Sequence, residues 1–362
     1  MLQLRDRQMA DMILGKIAFL NVQLTFMHVC GTHQDTLVRF GLLDRLSQVG
    51  IDVRQGPGCP VCVTLPQEVD EILTLAESGK TVVVFGDTIR VPGTKSSLQR
   101  MMGEGVDVRI VYGIDDAVAI ARKEKSKEIV FFAIGFETTA PTTAAAALAN
   151  PPENFSILST HRILPPALKA IVNMGEIHLH GLIEPGHVSA IIGTRPYEFL
   201  SKDHRIPQVV AGFEPLDVLM GVYMLAKQNV EGRSQVENEY SRVVRVEGNP
   251  KALDMIETVF KTTDVAWRGF PVIPGSRLDF RPEFERLNAR IRYKSILGDV
   301  DYTKYKEPAG CKCGELLRGL STPEECLLFG KKCTPDNPIG PCMVSREGSC
   351  NISFKYRKLA GI

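Results

Sequence analysis

The chain has 362 residues, 44% hydrophobic and 23% charged, with a formal net charge of +1. That is a globular composition with apolar mass for two or three domains, and its near-neutrality excludes a bulk attraction to nucleic acid or to an anionic membrane. No apolar run reaches about 18 residues, and the amphipathic N-terminus lacks a signal-peptide core, so no membrane span is expected and the cytoplasm is the expected location.

Residues 1–20 carry a helical pattern, after which short β-rich runs alternate with helical ones. FMHVC (26–30) reads as a strand, 35–50 as a helix, DVRQ (52–55) as a strand and 66–79 as a helix ending at Gly79. TVVVFGD (81–87), a helix over 97–105, VRIVYG (108–113) and a helix over 115–125 follow. The rhythm restarts at EIVFFAIGF (128–136), then a helix over 142–150, then strands FSILST (155–160), HLHGLIE (178–184) and VVAGF (209–213). Strands alternating with helices point to parallel sheets with right-handed crossovers. The expected fold class is α/β: two similar Rossmann-like parallel-sheet domains, 21–125 and 126–215, divided after the charged stretch ARKEKSKE. From 216 the texture changes. Helices are expected over 214–232 and 249–264, WRGFPVIPGSRL (267–278) is loop-rich, and the rest of a C-terminal domain, 216–362, is loop-rich and full of cysteines. Residues 1–20 are expected to pack on that domain.

The nine cysteines fall in two groups, at 30, 59 and 62 and at 311, 313, 326, 333, 342 and 350. Clustering of this kind, with an odd total, argues against a secreted disulfide framework and for metal or redox chemistry. In the tail, the gaps between cysteines are one, twelve, six, eight and seven residues, with no histidine among them. Zinc sites favour paired short spacings, whereas irregular all-thiolate ligation suits an iron–sulfur cluster. Four ligands suffice, and Cys311 and Cys313 are too close in sequence for both to serve easily. The set chosen is Cys313, Cys326, Cys333 and Cys350, with Cys311 and Cys342 spare or alternative. A cluster would also supply cross-links that this segment's poor apolar pattern cannot.

HVCGTHQ (28–34) places Cys30 at the carboxyl end of a strand and before a helix, where ligands bind in open α/β sheets. A helix N-terminus is expected to favour the thiolate there, with His33 to orient it or exchange a proton and Thr32 beside it. GPGCPVC (56–62) follows a second strand end, so Cys59 and Cys62 are expected across the same crevice from Cys30. Pro57 and Pro60 stiffen that loop, and the next helix is expected at Pro66 rather than at the thiols. The three cysteines with His33 form a split thiol site, either a soft-metal site or, for Cys59 and Cys62, a reversible disulfide. FGDTIRVPGT, GFETTAPTT and EPGHV are further strand ends that would line the crevice, bringing Glu137 and His187 toward it. Phosphate-cradle glycine motifs and a G-x-S-x-G nucleophile elbow are missing.

CGTHQ, GPGCPVC, GFETTAPT, EPGHVSAIIG, VAGFEPLDVL and the CxC…C…C…GPCMVSREGSC tail resemble, in that order, the hydrogenase maturation factor HypD family over essentially the whole chain. Gln34 stands where that family is expected to have glutamate, which puts in doubt any proton transfer needing a carboxylate there. The resemblance implies a scaffold on which the Fe(CN)2(CO) group of nickel–iron hydrogenases is assembled with the small chaperone HypC, cyanide arriving from HypE. It implies Cys30 as the iron ligand, Cys59 and Cys62 as redox-active or accessory thiols, and a [4Fe-4S] cluster in the tail within their reach. No nucleic-acid or membrane partner is expected, and the chain alone is expected to be a monomer. A stand-alone iron–sulfur thiol–disulfide reductase and a zinc-stabilised binding module are the rival readings, and whether the scaffold is itself an enzyme is left open.

Overall fold

The computed structural model describes residues 4–356 and shows an α/β protein with two parallel sheets and one small antiparallel hairpin. Strands β1 (Leu24–His28) and β2 (Ile51–Gln55) open the first sheet. The chain then leaves it to build the whole second sheet from β3 (Thr81–Phe85), β4 (Val108–Val111), β5 (Ile129–Ala133) and β6 (Phe155–Ser159). It returns with β7 (Gly181–Pro185), β8 (Gln208–Ala211) and β9 (Val236–Asn238). The strand orders are β2-β1-β7-β8-β9 and β4-β3-β5-β6. VVV in β3 and IVFFA in β5 are buried throughout, the continuous apolar pattern of strands covered on both faces.

Both sheets are doubly wound, and their order reverses between β1 and β7 and between β3 and β5, the positions where such sheets open a crevice. The two α/β units are therefore interleaved. A boundary at 125 would cut the second sheet between its neighbours β3 and β5, because strand pairing, not the charged stretch, decides which strands belong together.

The N-terminal helix, Arg7–Phe19, buries Ala10, Ile13, Leu14 and Ile17 at helical spacing. It packs on helix Pro215–Val230, which itself covers β7 and β8. Both helices belong to the first sheet's covering layer, so residues 7–19 meet the expected 216–362 segment at its opening helix. The expected helix over 249–264 stops at Val259. The β-branched run that follows pairs as β10 (Phe260–Ala266) with β11 (Val272–Phe280), a hairpin where loop was expected. The cysteine-rich tail has only short helices, and it wedges between the lobes. Helix Ser349–Tyr356 packs on helix Gly31–Arg39.

Candidate thiol and metal site

Cys30 is the residue before helix Gly31–Arg39, just past the end of β1. β7 lies on the other side of the first sheet's reversal point and ends in Pro185, so His187 rises beside β1. The Cys30 Sγ and His187 Nδ1 stand 3.8 Å apart. The backbone approach is close: a Cβ on Gly31 would lie 2.3 Å from the Glu347 Cβ, and one on Gly58 would lie 2.1 Å from the Cys30 nitrogen. Only glycine at both positions lets the CxxC loop and the tail close on the Cys30 turn.

The expected thiolate at Cys30 is not what this environment favours. Burial, then the charge of Glu347, pushes the Cys30 thiol up to about 12 against the pull of the Thr32 and His33 amides and the Thr32 hydroxyl. Desolvation outweighs the helix N-terminus. His33 does not orient the thiol either. Its Nε2 lies 2.9 Å from the Gly212 carbonyl, which fixes the helix to the end of β8 together with the Thr36 hydroxyl, which donates to Phe213 O. Burial holds His33 at about 3 and His187 at about 4, so both rings are neutral at pH 7. Gln34 accepts from the His28 ring at 2.8 Å, a neutral buried pair.

Cys59 and Cys62 form a disulfide, with their Cα atoms 5.2 Å apart. The helical turn Pro60–Val63 starts directly after Cys59, earlier than the expected Pro66, and the Cys59 Sγ accepts from the Cys62 amide. A second turn begins the longer helix Pro66–Glu77. Pro60 and Val61 also border a cleft over the carboxyl ends of the second sheet, with Asp87 and Thr88 after β3 and Thr138 after β5. The FGD and GFETT strand ends therefore line a cleft next to the CxxC turn, while EPGHV serves Cys30. Glu137 caps instead of facing the thiol: its Oε1 accepts from the Leu164 amide at 2.9 Å.

All six tail thiols line one cavity with Leu316, Leu328 and Phe329. The CxxC turn packs directly on two of the segments that carry them, Cys313–Leu317 and Pro341–Met343. The Cys313 sulfur lies 2.6 Å from that of Cys342 and is also hydrogen-bonded with the Cys311 thiol. Burial raises the Cys350 and Cys333 thiols, and the neighbouring thiols add to the rise. Buried thiols crowded together cannot ionise without a cation, and metal supplies one, so the donor set fits a metal group. No three His, Cys, Asp or Glu side chains among the described residues converge on a single-ion position. Thiols spread around a cavity suit a polynuclear cluster better than one zinc ion.

Sequence reasoning missed Arg268. This buried side chain projects from the β10–β11 turn, and its backbone amide donates to Val63 O at 3.0 Å. Its guanidinium donates to Thr64 O and Glu307, bracing the CxxC loop, and its charge reaches Cys313 and Cys342. The neighbouring Trp267, the only tryptophan in the chain, stacks on Phe136 and was the available signal.

These features define a thiol-centred α/β protein: a lone cysteine at one reversal point, a disulfide packed beside it, and a thiol-lined cavity behind. Residues 7–357 match the family model described as "HypD: Hydrogenase formation hypA family". A hydrogenase expression/formation protein of Methanocaldococcus jannaschii is 45% identical over 99% of this chain and 100% of its own length. Hydrogenase maturation factor HypD of Cupriavidus necator is 39% identical over 99% of this chain and 97% of its own, and that of Escherichia coli 39% identical over 92% and 90%. The chain belongs to the HypD family of hydrogenase maturation factors. Among the described residues, no helix is long and apolar enough to cross a membrane.

Proposed function

We propose that this protein is the scaffold on which the Fe(CN)2(CO) group of nickel–iron hydrogenases is assembled, in the cytoplasm, with HypC as partner and HypE as cyanide donor. The observation that carries the reading is the placement of Cys30. Its thiol sits at a sheet reversal point against His187, with the CxxC loop packed on its backbone. Iron is the cargo, and Cys30 is its ligand on this chain. One thiol cannot complete the coordination of iron, which supports a partner that brings further ligands. Cys59 and Cys62 accept two electrons and two protons when their disulfide opens to two thiols. In the oxidised form both sulfurs are bonded to each other, so only the reduced form leaves them free to touch iron.

Cys313, Cys326, Cys333 and Cys350 are proposed to hold a [4Fe-4S] cluster, with Cys311 and Cys342 spare or alternative. All six thiols line the one cavity, where Cys313 stands in contact with both Cys342 and Cys311. A cluster held there supplies one-electron chemistry. The stand-alone reductase reading draws on the same disulfide, and the lone thiol at the reversal point favours the scaffold over it. Metal analysis of the anaerobically copurified complex tests the choice. Iron beyond the four per cluster, lost on Cys30→Ala while the cluster stays, is the expected result. Equal iron in wild type and Cys30→Ala would reject the scaffold reading.

A further inference from the structure

The turn between β10 and β11 carries Trp267, Arg268 and Gly269, and it touches both thiol regions at once. On one side the Arg268 amide donates to Val63 O at 3.0 Å and its guanidinium Nε to Thr64 O at 3.4 Å, and these are the two residues that follow Cys62. On the other side Gly269 lies against Gly314, the residue after Cys313: a Cβ on Gly269 would stand 2.6 Å from the Gly314 Cα. The turn itself is fixed. Trp267 is fully buried, its Nε1 donates to the Ser276 Oγ at 2.9 Å, and its ring stacks on Phe136. The outer end of the buried Arg268 guanidinium donates to Glu307 at 3.0 Å and lies over the Tyr305 ring. A buried ion pair contributes little to stability compared with an apolar replacement. What a guanidinium adds is geometry, because its planar fork holds two acceptors, Thr64 O and Glu307, in one fixed arrangement.

We propose that Arg268 is a positioning residue for the Cys59–Cys62 pair: it holds the CxxC turn closed and so shifts the dithiol–disulfide balance toward the disulfide. The inference rests on the reading of these two cysteines as a redox pair. On reduction the S–S bond breaks and two S–H bonds form, with two electrons and two protons taken up. The opened turn gains conformational freedom, and a guanidinium fixed to Thr64 O limits that gain. The two sulfurs then stay at a high effective concentration, which favours their closure. A positive charge acts in the opposite sense, since it stabilises a thiolate and with it the reduced form. That influence has little to act on here, because Cys59 and Cys62 are wholly buried and burial keeps thiols protonated. The sign of the shift on removing Arg268 therefore tells position from charge.

Anaerobic equilibration of the full chain at pH 7 with mixtures of reduced and oxidised dithiothreitol, with the Cys59 and Cys62 thiols counted by mass spectrometry, reads the balance. Dithiothreitol supplies the electrons and protons and closes to its cyclic disulfide. Arg268→Met is expected to move the balance toward dithiol by about tenfold, or about 30 mV. Arg268→Lys keeps the charge but not the fork, and is expected to move it the same way. Glu307→Ala frees the outer end of the guanidinium at a partly exposed position. It is expected to move the balance about threefold in the same direction, and it decides the matter where the Arg268 variants do not fold. Asp217→Asn weakens a buried pair with Arg242 on helix Pro215–Val230 and is expected to lower the melting midpoint without moving the balance. No shift in the folded variants, a shift toward disulfide in Arg268→Met, a wild-type balance in Arg268→Lys, or an equal shift in Asp217→Asn overturns the inference. A wild-type pair that no mixture reduces overturns the redox reading of Cys59 and Cys62 instead.

Discussion

Replacing Glu68 with glutamine probes the buried charges that hold the loop after the CxxC turn. Glu68 and Arg162 form an ion pair with no exposed side-chain surface, and the Leu65 amide donates to the Glu68 Oε2 at 3.1 Å. Arg290 lies 3.7 Å from Glu68 and 2.8 Å from Glu71, whose Oε1 accepts from the Tyr302 hydroxyl. Burial alone would raise the Glu68 pKa, but Arg162, Arg290 and Arg277 outweigh it and hold the carboxylate below its ordinary 4.5. Without that charge, Arg162 loses its carboxylate partner, while Arg290 keeps Glu71 and Arg277 keeps Asp279. Removing one partner of a buried pair costs about 3–5 kcal/mol. Because Glu71 remains, the lower figure applies, and at about 2 °C per kcal/mol for a long chain the melting midpoint falls by about 6 °C. Since the folded pKa lies below the unfolded one, the stability Glu68 contributes is complete above about 4.5 and is lost as pH falls through the folded value. Thermal melts followed by circular dichroism at pH 7 and pH 4 are the assay. A large gap between wild type and Glu68→Gln at pH 7 that narrows at pH 4 is expected. Melting within about 1 °C of wild type at pH 7 would refute the reasoning, since loss of one buried partner cannot be that cheap.

Glu184→Gln should flatten the pH dependence of stability. The wild-type carboxyl ionises near 8 when folded and near 4.5 when unfolded, so wild type loses stability as pH rises between those values and the variant does not. Urea midpoints at pH 5 and 8.5 check this, and parallel profiles would contradict it. Cys313→Ala should abolish the visible absorbance of a cluster while Cys311→Ala retains it, and the reverse result would put Cys311 in the ligand set instead. Gly58→Ala forces a Cβ to 2.1 Å from the Cys30 nitrogen, so stability should drop by about 1–3 kcal/mol and the CxxC loop should move off Cys30. Unchanged iron loading and melting would show that the close approach is dispensable.

The strand ends were legible because each apolar run is cut by glycine or proline at a reversal of direction: HVCG, QGPG, FGD and EPGH. That pattern located Cys30 and the CxxC loop. It did not assign strands to sheets, because runs such as LTFMH and TVVVF carry no mark of their partner, and the chain's departure after β2 and return at β7 depends on pairing alone. The sequence brought His187 toward the crevice but gave the orienting role at Cys30 to His33, which turns to the Gly212 carbonyl. His33 is close in sequence, whereas His187 is 157 residues away and is brought in by the β1–β7 pairing. Thiolate character was misjudged because helix polarity is visible in sequence and desolvation is not. The β10–β11 hairpin hid behind helix Pro250–Val259, whose amphipathic pattern runs into FKTTDV without a break. Spacing showed that Cys59 and Cys62 can pair, but not that they do.

The infrared spectrum of the protein copurified anaerobically with its small partner tests the central claim most directly. Fe–CN and Fe–CO bands are expected in the wild-type complex and absent from the Cys30→Ala complex, with the cluster's visible absorbance unchanged between the two. A wild-type complex without those bands, or a Cys30→Ala complex that keeps them, would contradict the assignment of this crevice as the place where the iron group is built.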